Sequence, residues 1–345
     1  MKPFELGVTT FAEVMPDPKT GKTVSYDERI QQVIEEIVLA DLIGLDYYGI
    51  GEHHRKEFAA SVPETLLAGA ATRTNRIKLG SAVTVLSSDD PVRIYQHFAT
   101  LNALSKGRAE ISLGRGSFIE SFPLFGYDLK DYDLLFSEKL ELLLKIRDQE
   151  VVHFNGKTRK PIQGLGVYPR TAYPLNISIA VGGTPSSVIR AAKHGLPLFI
   201  AIIGGNPLHF KSLITLYKKH YLESGHNPEN MHISVHSHGF IMENFKEAVE
   251  TYYPSIEPFM NMIGEERGWA RYTRETYDYA RGPHGALFVG DPQYVADKIV
   301  QLKKNLEIDR FTMHVPVGYL DHELVMKAIE LLGTEVKSRI DKQLT

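Results

Sequence analysis

Apolar positions along this chain keep changing period. Short runs of β-branched and aliphatic residues alternate with longer stretches whose apolar residues recur every three or four positions. Residues 4–10 predict a first strand. Residues 27–43 predict a helix, with Ile30, Val33, Ile34, Ile37, Val38 and Ala40 on one broad face. Further strands are predicted at 47–50, 78–85, 108–113, 176–181, 196–203, 232–242 and 310–315. Helices are predicted at 63–73, 91–104, 134–147, 185–194 and 207–223, with a last one at 322–332. Eight strands in near-regular alternation with helices predict an α/β fold. The expected form is a (β/α)8 TIM barrel, rather than an open doubly wound sheet. The rhythm breaks at 151–174, rich in Gly, Pro, Lys and Arg, and at 245–283, which carries extra helix and aromatic residues. Both are expected to be insertions at the catalytic face, within one domain spanning 1–345.

Composition narrows the class. Of 345 residues 43% are apolar and 23% charged, the balance of a soluble globular enzyme. The net charge of −3 gives no reason to expect nucleic acid or an anionic membrane as partner. No cysteine is present, which removes disulfides, thiolate metal sites and cysteine nucleophiles. The opening residues lack the apolar stretch of a signal peptide, and no apolar run is long enough to span a bilayer, so a cytoplasmic enzyme is expected.

Candidate chemistry collects where strands end. The second strand closes on Gly51-Glu52-His53-His54-Arg55, poor packing material but suited to a barrel mouth. Adjacent strand residues face opposite ways, so only one of the two histidines is expected to point inward as a proton carrier. A fifth strand runs into Gly182-Gly183-Thr184-Pro185-Ser186-Ser187 before a helix. Thr184 suits the N-cap and Pro185 the first helical position. The amides of Gly183, Ser186 and Ser187, with the hydroxyls of Thr184 and Ser186, could converge on a phosphate at the positive helix end. Gly114-Arg115-Gly116 ends the fourth strand, where a guanidinium flanked by glycines suits a phosphate or carboxylate. Small residues in Gly80-Ser81-Ala82-Val83 leave room for a flat ligand. No dinucleotide fingerprint or Walker loop occurs. His236 and His238 share one face of a strand, but no carboxylate pattern supports a metal there, and none is expected.

These segments, in this order, resemble the bacterial luciferase-like flavin monooxygenases. The resemblance rests on Gly51-Glu52-His53-His54, on Leu79-Gly80-Ser81-Ala82-Val83-Thr84-Val85-Leu86 leading into Asp90-Pro91-Val92-Arg93, and on Ser105-Lys106-Gly107-Arg108. It continues through Gly114-Arg115-Gly116, Ala180-Val181-Gly182-Gly183-Thr184-Pro185 and Val289-Gly290-Asp291-Pro292. The resemblance implies a barrel that binds flavin at the carboxyl ends of its strands. His53 falls where the family carries a histidine near the flavin ring. Ala82-Val83 falls at a non-prolyl cis peptide beneath it, and Arg115 and the 182–187 turn at phosphate-binding positions. There are departures. Gly114 stands in place of a luciferase cysteine, Gly182 in place of an acidic residue, and Ile202 in place of a pocket-lining aromatic. Light emission and long aldehyde substrates are therefore not expected.

The expected function is a two-component monooxygenase using reduced FMN as cosubstrate with O2, supplied by a separate flavin reductase and acting on a small organic substrate. An F420-dependent hydride-transfer enzyme, a flavin-binding protein without turnover, and a metal-dependent hydrolase using His53, His236 and His238 are the alternatives. The small-sided Leu67-Ala68-Gly69-Ala70-Ala71 suits close packing on a partner helix or on the chain's own barrel, and the resemblance implies a homodimer through the helices after strands two and three.

Overall fold

A computed structural model of the chain describes residues 3–116 and 118–344. Eight parallel strands close into a barrel in sequence order: β1 Glu5–Thr10, β2 Tyr47–Ile50, β3 Lys78–Ser81, β4 Ala109–Gly114, β5 Asn176–Val181, β6 Leu198–Ala201, β7 Ile233–Ile241 and β8 Arg310–His314. Each pairs with its successor, and β8 returns to β1 with Glu5 opposite Arg310 and Thr9 opposite His314. Helices flank the barrel at Tyr26–Leu42, Pro63–Ala71, Pro91–Leu104, Tyr132–Asp148, Pro185–Lys193, Lys211–Glu223, Pro292–Leu306 and His322–Leu331. Local chemistry marks their starts. Ser25 accepts from the Glu28 amide, Asp90 from Val92 and Asp291 from Tyr294, each satisfying an orphan donor of the first turn. Among the described residues no helix is long and apolar enough to cross a membrane.

Three features differ from the sequence-based expectation. The third strand, predicted unbroken over 78–85, is split into β3 and Thr84–Val85 by a cis peptide between Ala82 and Val83. The sequence reading leaves 284–309 without an element, yet Phe288–Gly290 pairs with the upper half of β7 and leads into Pro292–Leu306. That helix buries Val295, Ile299, Leu302 and Leu306 at helical spacing, so its signal was present in the pattern. Finally, 151–174 lies in the connection from a helix back to β5. It forms an antiparallel hairpin, Val151–Phe154 with Ile162–Gly166. The hairpin packs along the outer wall, where Glu138 binds the amides of Lys157 and Thr158 and Arg159 reaches Asp90.

The second insertion does reach the mouth. Helix Phe245–Arg267 leaves the carboxyl end of β7, and Glu266 near its end forms a bidentate pair with Arg55. Tyr252 and Phe259, two aromatic residues of this insertion, are buried, with Tyr252 stacked on Phe240 at 5.2 Å. They are packing residues of the inserted helix.

The lumen is filled in layers. At the amino end Arg310 bridges Glu5 and, by two bonds of 2.7 and 3.1 Å, Glu110. Its guanidinium lies 4.3 Å from the centre of the Tyr47 ring, which plugs the middle. Gly80 must lack a side chain because a Cβ there would come within 2.3 Å of the Tyr47 hydroxyl. Above Tyr47 the lumen turns polar, with Thr9, His236 and His314 facing one another. That layer forms the floor beneath the mouth.

Candidate functional site

At the carboxyl ends of the strands lies a cavity of ≈ 360 Å³, within the range of small-ligand sites. Its wall brings together His53, Ala82, Val83, Arg115, Gly182, Thr184 and Ser187, residues from four strand ends. Gly183 and Ser186 belong to the same turn but are exposed and lie off the cavity wall.

The Glu-His-His-Arg run at the end of β2 divides its tasks. His53 lines the cavity, its ring centre 4.3 Å from Phe11, 4.6 Å from Phe58 and 5.2 Å from Phe118. Burial, reinforced by His314 and His54, pushes its pKa down to about 3, so the imidazole is neutral at pH 7. His54 lies off the cavity wall, and its Nε2 meets Glu52 Oε1 at 2.8 Å. Glu52 Oε2 accepts from the Val85 amide at 2.7 Å, while the Glu52 amide donates to the Val83 carbonyl at 3.0 Å. The pair therefore clamps the 82–85 segment across the cis peptide. Arg55 ties the mouth to the inserted helix through Glu266, and also meets Glu57 and Glu120. These carboxylates hold its pKa above the usual arginine value.

Gly114 has a steric explanation in this site. A Cβ there would fall 2.4 Å from Val83 Cγ2, so the glycine follows from the close approach of Val83. The backbone at 114–116 can then lie flat against the segment.

At the end of β5, Gly183 adopts φ +127°, a conformation L side chains rarely take, and turns the chain into helix Pro185–Lys193. Thr184 holds the N-cap position without a side-chain capping bond. The Ser187 amide donates to the Thr184 carbonyl at 3.2 Å, so it is engaged within the turn rather than turned outward as expected. A Cβ on Gly182 or Gly183 would meet nothing within 4 Å, which leaves an open cradle at the helix start. Arg115 reaches the same region, its Nη1 2.9 Å from Asp133 Oδ1 and its guanidinium 5.0 Å from the Tyr132 ring centre.

Sequence reasoning missed two groups, one that neighbours Arg115 outside the cavity lining and one on the cavity floor. Arg190, on the helix that starts at Pro185, has a buried Nη1 with no hydrogen-bond partner. Its pKa is lowered by burial and then by the neighbouring Arg115 charge. Two guanidiniums held together without enough carboxylate suit a dianion. The signal was its position six residues after Thr184, which a helical reading places about a turn and a half in. His236 from β7 lines the floor, where the sequence reading weighed it only as a metal ligand. Among the described residues no group of three or more His, Cys, Asp or Glu could hold a metal ion. Phe199, Ala201 and Ile203 give the remaining wall its apolar character. Ile202, placed at the pocket by the sequence comparison, is instead fully buried in the core, and Ile203 takes the lining position.

Comparison with known proteins gives a consistent picture. The luciferase-like monooxygenase family matches residues 4–310. N-acetyl-S-alkylcysteine monooxygenase of Bacillus subtilis is 25% identical over 317 residues, 86% of this chain and 90% of the relative. Among solved structures, the FMN-bound oxygenating constituent of 3,6-diketocamphane monooxygenase from Pseudomonas putida superposes with a TM-score of 0.76 at 20% identity, covering 98% of each chain. The F420-dependent tetrahydromethanopterin reductase of Methanopyrus kandleri superposes with a TM-score of 0.74 at 19% identity, covering 98% of this chain and 99% of its own. At these identities the two structures share the barrel with this chain.

Proposed function

The chain belongs to the luciferase-like monooxygenase family, and on that premise we propose that it is a two-component monooxygenase taking reduced FMN and O2 to a small organic substrate. The observation that carries this reading is one cavity. It sets His53 and the Ala82–Val83 peptide at one end, and Arg115, Thr184 and Ser187 at the other, with Arg190 outside the lining but close to Arg115. The open cradle at Gly182–Gly183 and the unpartnered Arg190 Nη1 fit a phosphate, while Val83, fixed by Glu52, offers a flat support for a ring.

When bound, reduced flavin would supply the electrons and the O2 chemistry. Arg115, Arg190, Thr184 and the Ser187 hydroxyl would hold the phosphate, and so set the ring's depth over Val83. Neutral His53, packed among Phe11, Phe58 and Phe118, would take or return a proton at the ring edge without bringing a fixed charge into the pocket. The inserted helix, tied down by Arg55–Glu266, would restrict water at the mouth. Small residues at 67–71 pack partly on the chain's own barrel, where Leu67, Ala70 and Ala71 are buried. The dimer and the separate reductase belong to the same proposal.

The F420 reading is kept because two structural neighbours carry that dependence in their names. Anaerobic titration with photoreduced FMN and with reduced F420, followed by admission of O2, separates the two. Tight binding of reduced FMN and consumption of O2 support the proposal. Selective binding of F420 without O2 consumption would replace it.

A further inference from the structure

Four polar side chains lie in line across the upper lumen beneath the proposed ring site. Thr9 Oγ1 is 2.9 Å from His236 Nδ1 and 3.2 Å from His314 Nδ1. His314 Nε2 is 2.7 Å from Glu13 Oε1, and both side chains are almost completely buried, at 1% and 0% exposure. Glu13 Oε2 in turn accepts from the Thr10 hydroxyl at 3.1 Å and from the Phe11 amide at 3.3 Å. His236 lines the cavity, and since its Nδ1 is taken by Thr9, its Nε2 is the nitrogen left for a ligand.

One hydroxyl proton links the two imidazoles. Thr9 has a single hydrogen, so if both contacts are hydrogen bonds it donates to one Nδ1 and accepts from the other. Either His236 or His314 carries a proton on Nδ1, but not both. When His314 is neutral and gives its Nε2–H to Glu13, its Nδ1 is bare. Thr9 then donates to His314 and accepts from His236, which leaves His236 Nε2 bare toward the cavity. When His314 is an imidazolium, Thr9 must turn over and His236 must carry its proton on Nε2.

We propose that His236 is a second catalytic residue, a proton acceptor at the cavity floor, and that Thr9, His314 and Glu13 form a buried relay that takes the proton away. This rests on the monooxygenase reading for its use in turnover, but not for its geometry. The step balances within the chain. An acidic X–H of the substrate gives its proton to His236 Nε2, and His236 Nδ1–H passes to Thr9 Oγ1. The Thr9 hydroxyl proton then passes to His314 Nδ1. The substrate keeps the X–H electron pair, and the added proton ends on His314 as an imidazolium held by the Glu13 carboxylate. Charge is thereby separated from the pocket by the length of the relay.

The groups around His236 favour its neutral form. His238 lies 5.5 Å from His314 and 6.1 Å from His236 between ring centres. His53 faces His314 across Phe11, and Arg29 is paired with Glu36 at 2.5 Å and lies 3.5 Å from the Thr10 hydroxyl. Burial, and then the neighbouring histidines, depress the pKa of His236 well below the usual value, which favours passing a proton onward over keeping it.

The test is nitrogen NMR of the full chain labelled in its histidines, read without any cofactor, with signals assigned from His236→Gln and His314→Gln. At pH 8 His236 is expected as the Nδ1–H tautomer, the less common form in solution, and His314 as Nε2–H. On acidification to the onset of unfolding, His314 is expected to gain its second proton while His236 switches to Nε2–H over the same pH interval. Thr9→Val should abolish that coupling, and Thr9→Ser should keep it. The Nε2–H tautomer for His236 at pH 8 would overturn the relay. So would unfolding before His314 takes a proton, or a switch that survives Thr9→Val. Failure of reduced FMN to bind would remove the monooxygenase reading while leaving these tautomers as predicted.

Discussion

Replacing Arg115 with alanine probes the phosphate end of the site. A guanidinium on a phosphate contributes about 1.5–3 kcal/mol as a charge-assisted hydrogen bond. Arg115 is not idle without ligand, because it holds Asp133 at 2.9 Å. Asp133 is 73% exposed, and a pair of that kind is worth about 0–1 kcal/mol. Sharing or surrendering it on binding leaves a net loss of about 0.5–3 kcal/mol for Arg115→Ala. At about 1.4 kcal/mol per decade, FMN should bind roughly 2- to 150-fold more weakly. Asp133→Asn should act in the opposite sense, tightening FMN by up to about fivefold, because it frees the guanidinium and removes a carboxylate that repels phosphate. Fluorescence titration reads both, with riboflavin as the control because it lacks the phosphate. Its affinity should change little in either variant. If Arg115→Ala weakened riboflavin as much as FMN, the arginine would be shaping the pocket rather than holding phosphate. Unchanged FMN affinity would remove it from the site altogether.

Other outcomes follow from the same geometry. His53→Ala should lower turnover at saturating reduced FMN by about 10²–10⁴, the usual scale of lost acid–base help, whereas His54→Ala should act mainly through the looser 82–85 segment, with weaker flavin binding. A normal rate in His53→Ala with a collapsed rate in His54→Ala would reverse the two roles. His53 and His238, with pKa values pushed down to about 3, and His236, lowered well below the usual value by burial, are neutral in the fold but take protons near pH 6.5 once unfolded. Folding stability should therefore be fully present above about pH 6.5 and fall with acid, by up to about 1.4 kcal/mol per pH unit for each histidine. Urea melts at pH 7 and 5.5 measure this, and His238→Gln should reduce the slope by about one proton. With oxidised FMN and NADH the protein alone should oxidise negligible NADH until a flavin reductase is added, since the chain carries no dinucleotide fingerprint. Rapid oxidation by the protein alone would point to a self-sufficient reductase. Light scattering at micromolar concentration should give a dimer mass, and a monomer would remove the role proposed for the small-sided helix.

What could be read directly from the chain was whatever depends on local order. Apolar periodicity located the eight barrel strands and most of the outer helices, because each must bury one face and its neighbours in sequence decide which. Alternation indicated that only one of His53 and His54 would face the mouth, and the family resemblance pointed to His53. The Gly-Gly-Thr-Pro run announced a tight turn and a helix start, since Gly183 and Pro185 are chosen for backbone geometry that is set within a few residues. Tertiary structure decided which distant residues share a space. Nothing local to Arg190 shows that it stands beside Arg115, and nothing in 233–241 shows that His236 meets Thr9 through a hydroxyl 227 positions away. Gly114 is explained by Val83 pressing against it, and Glu52 by two backbone bonds to the segment after β3. Closing the barrel brings these groups together, because β8 must return to β1 before Thr9, His314 and Glu13 can share one buried layer.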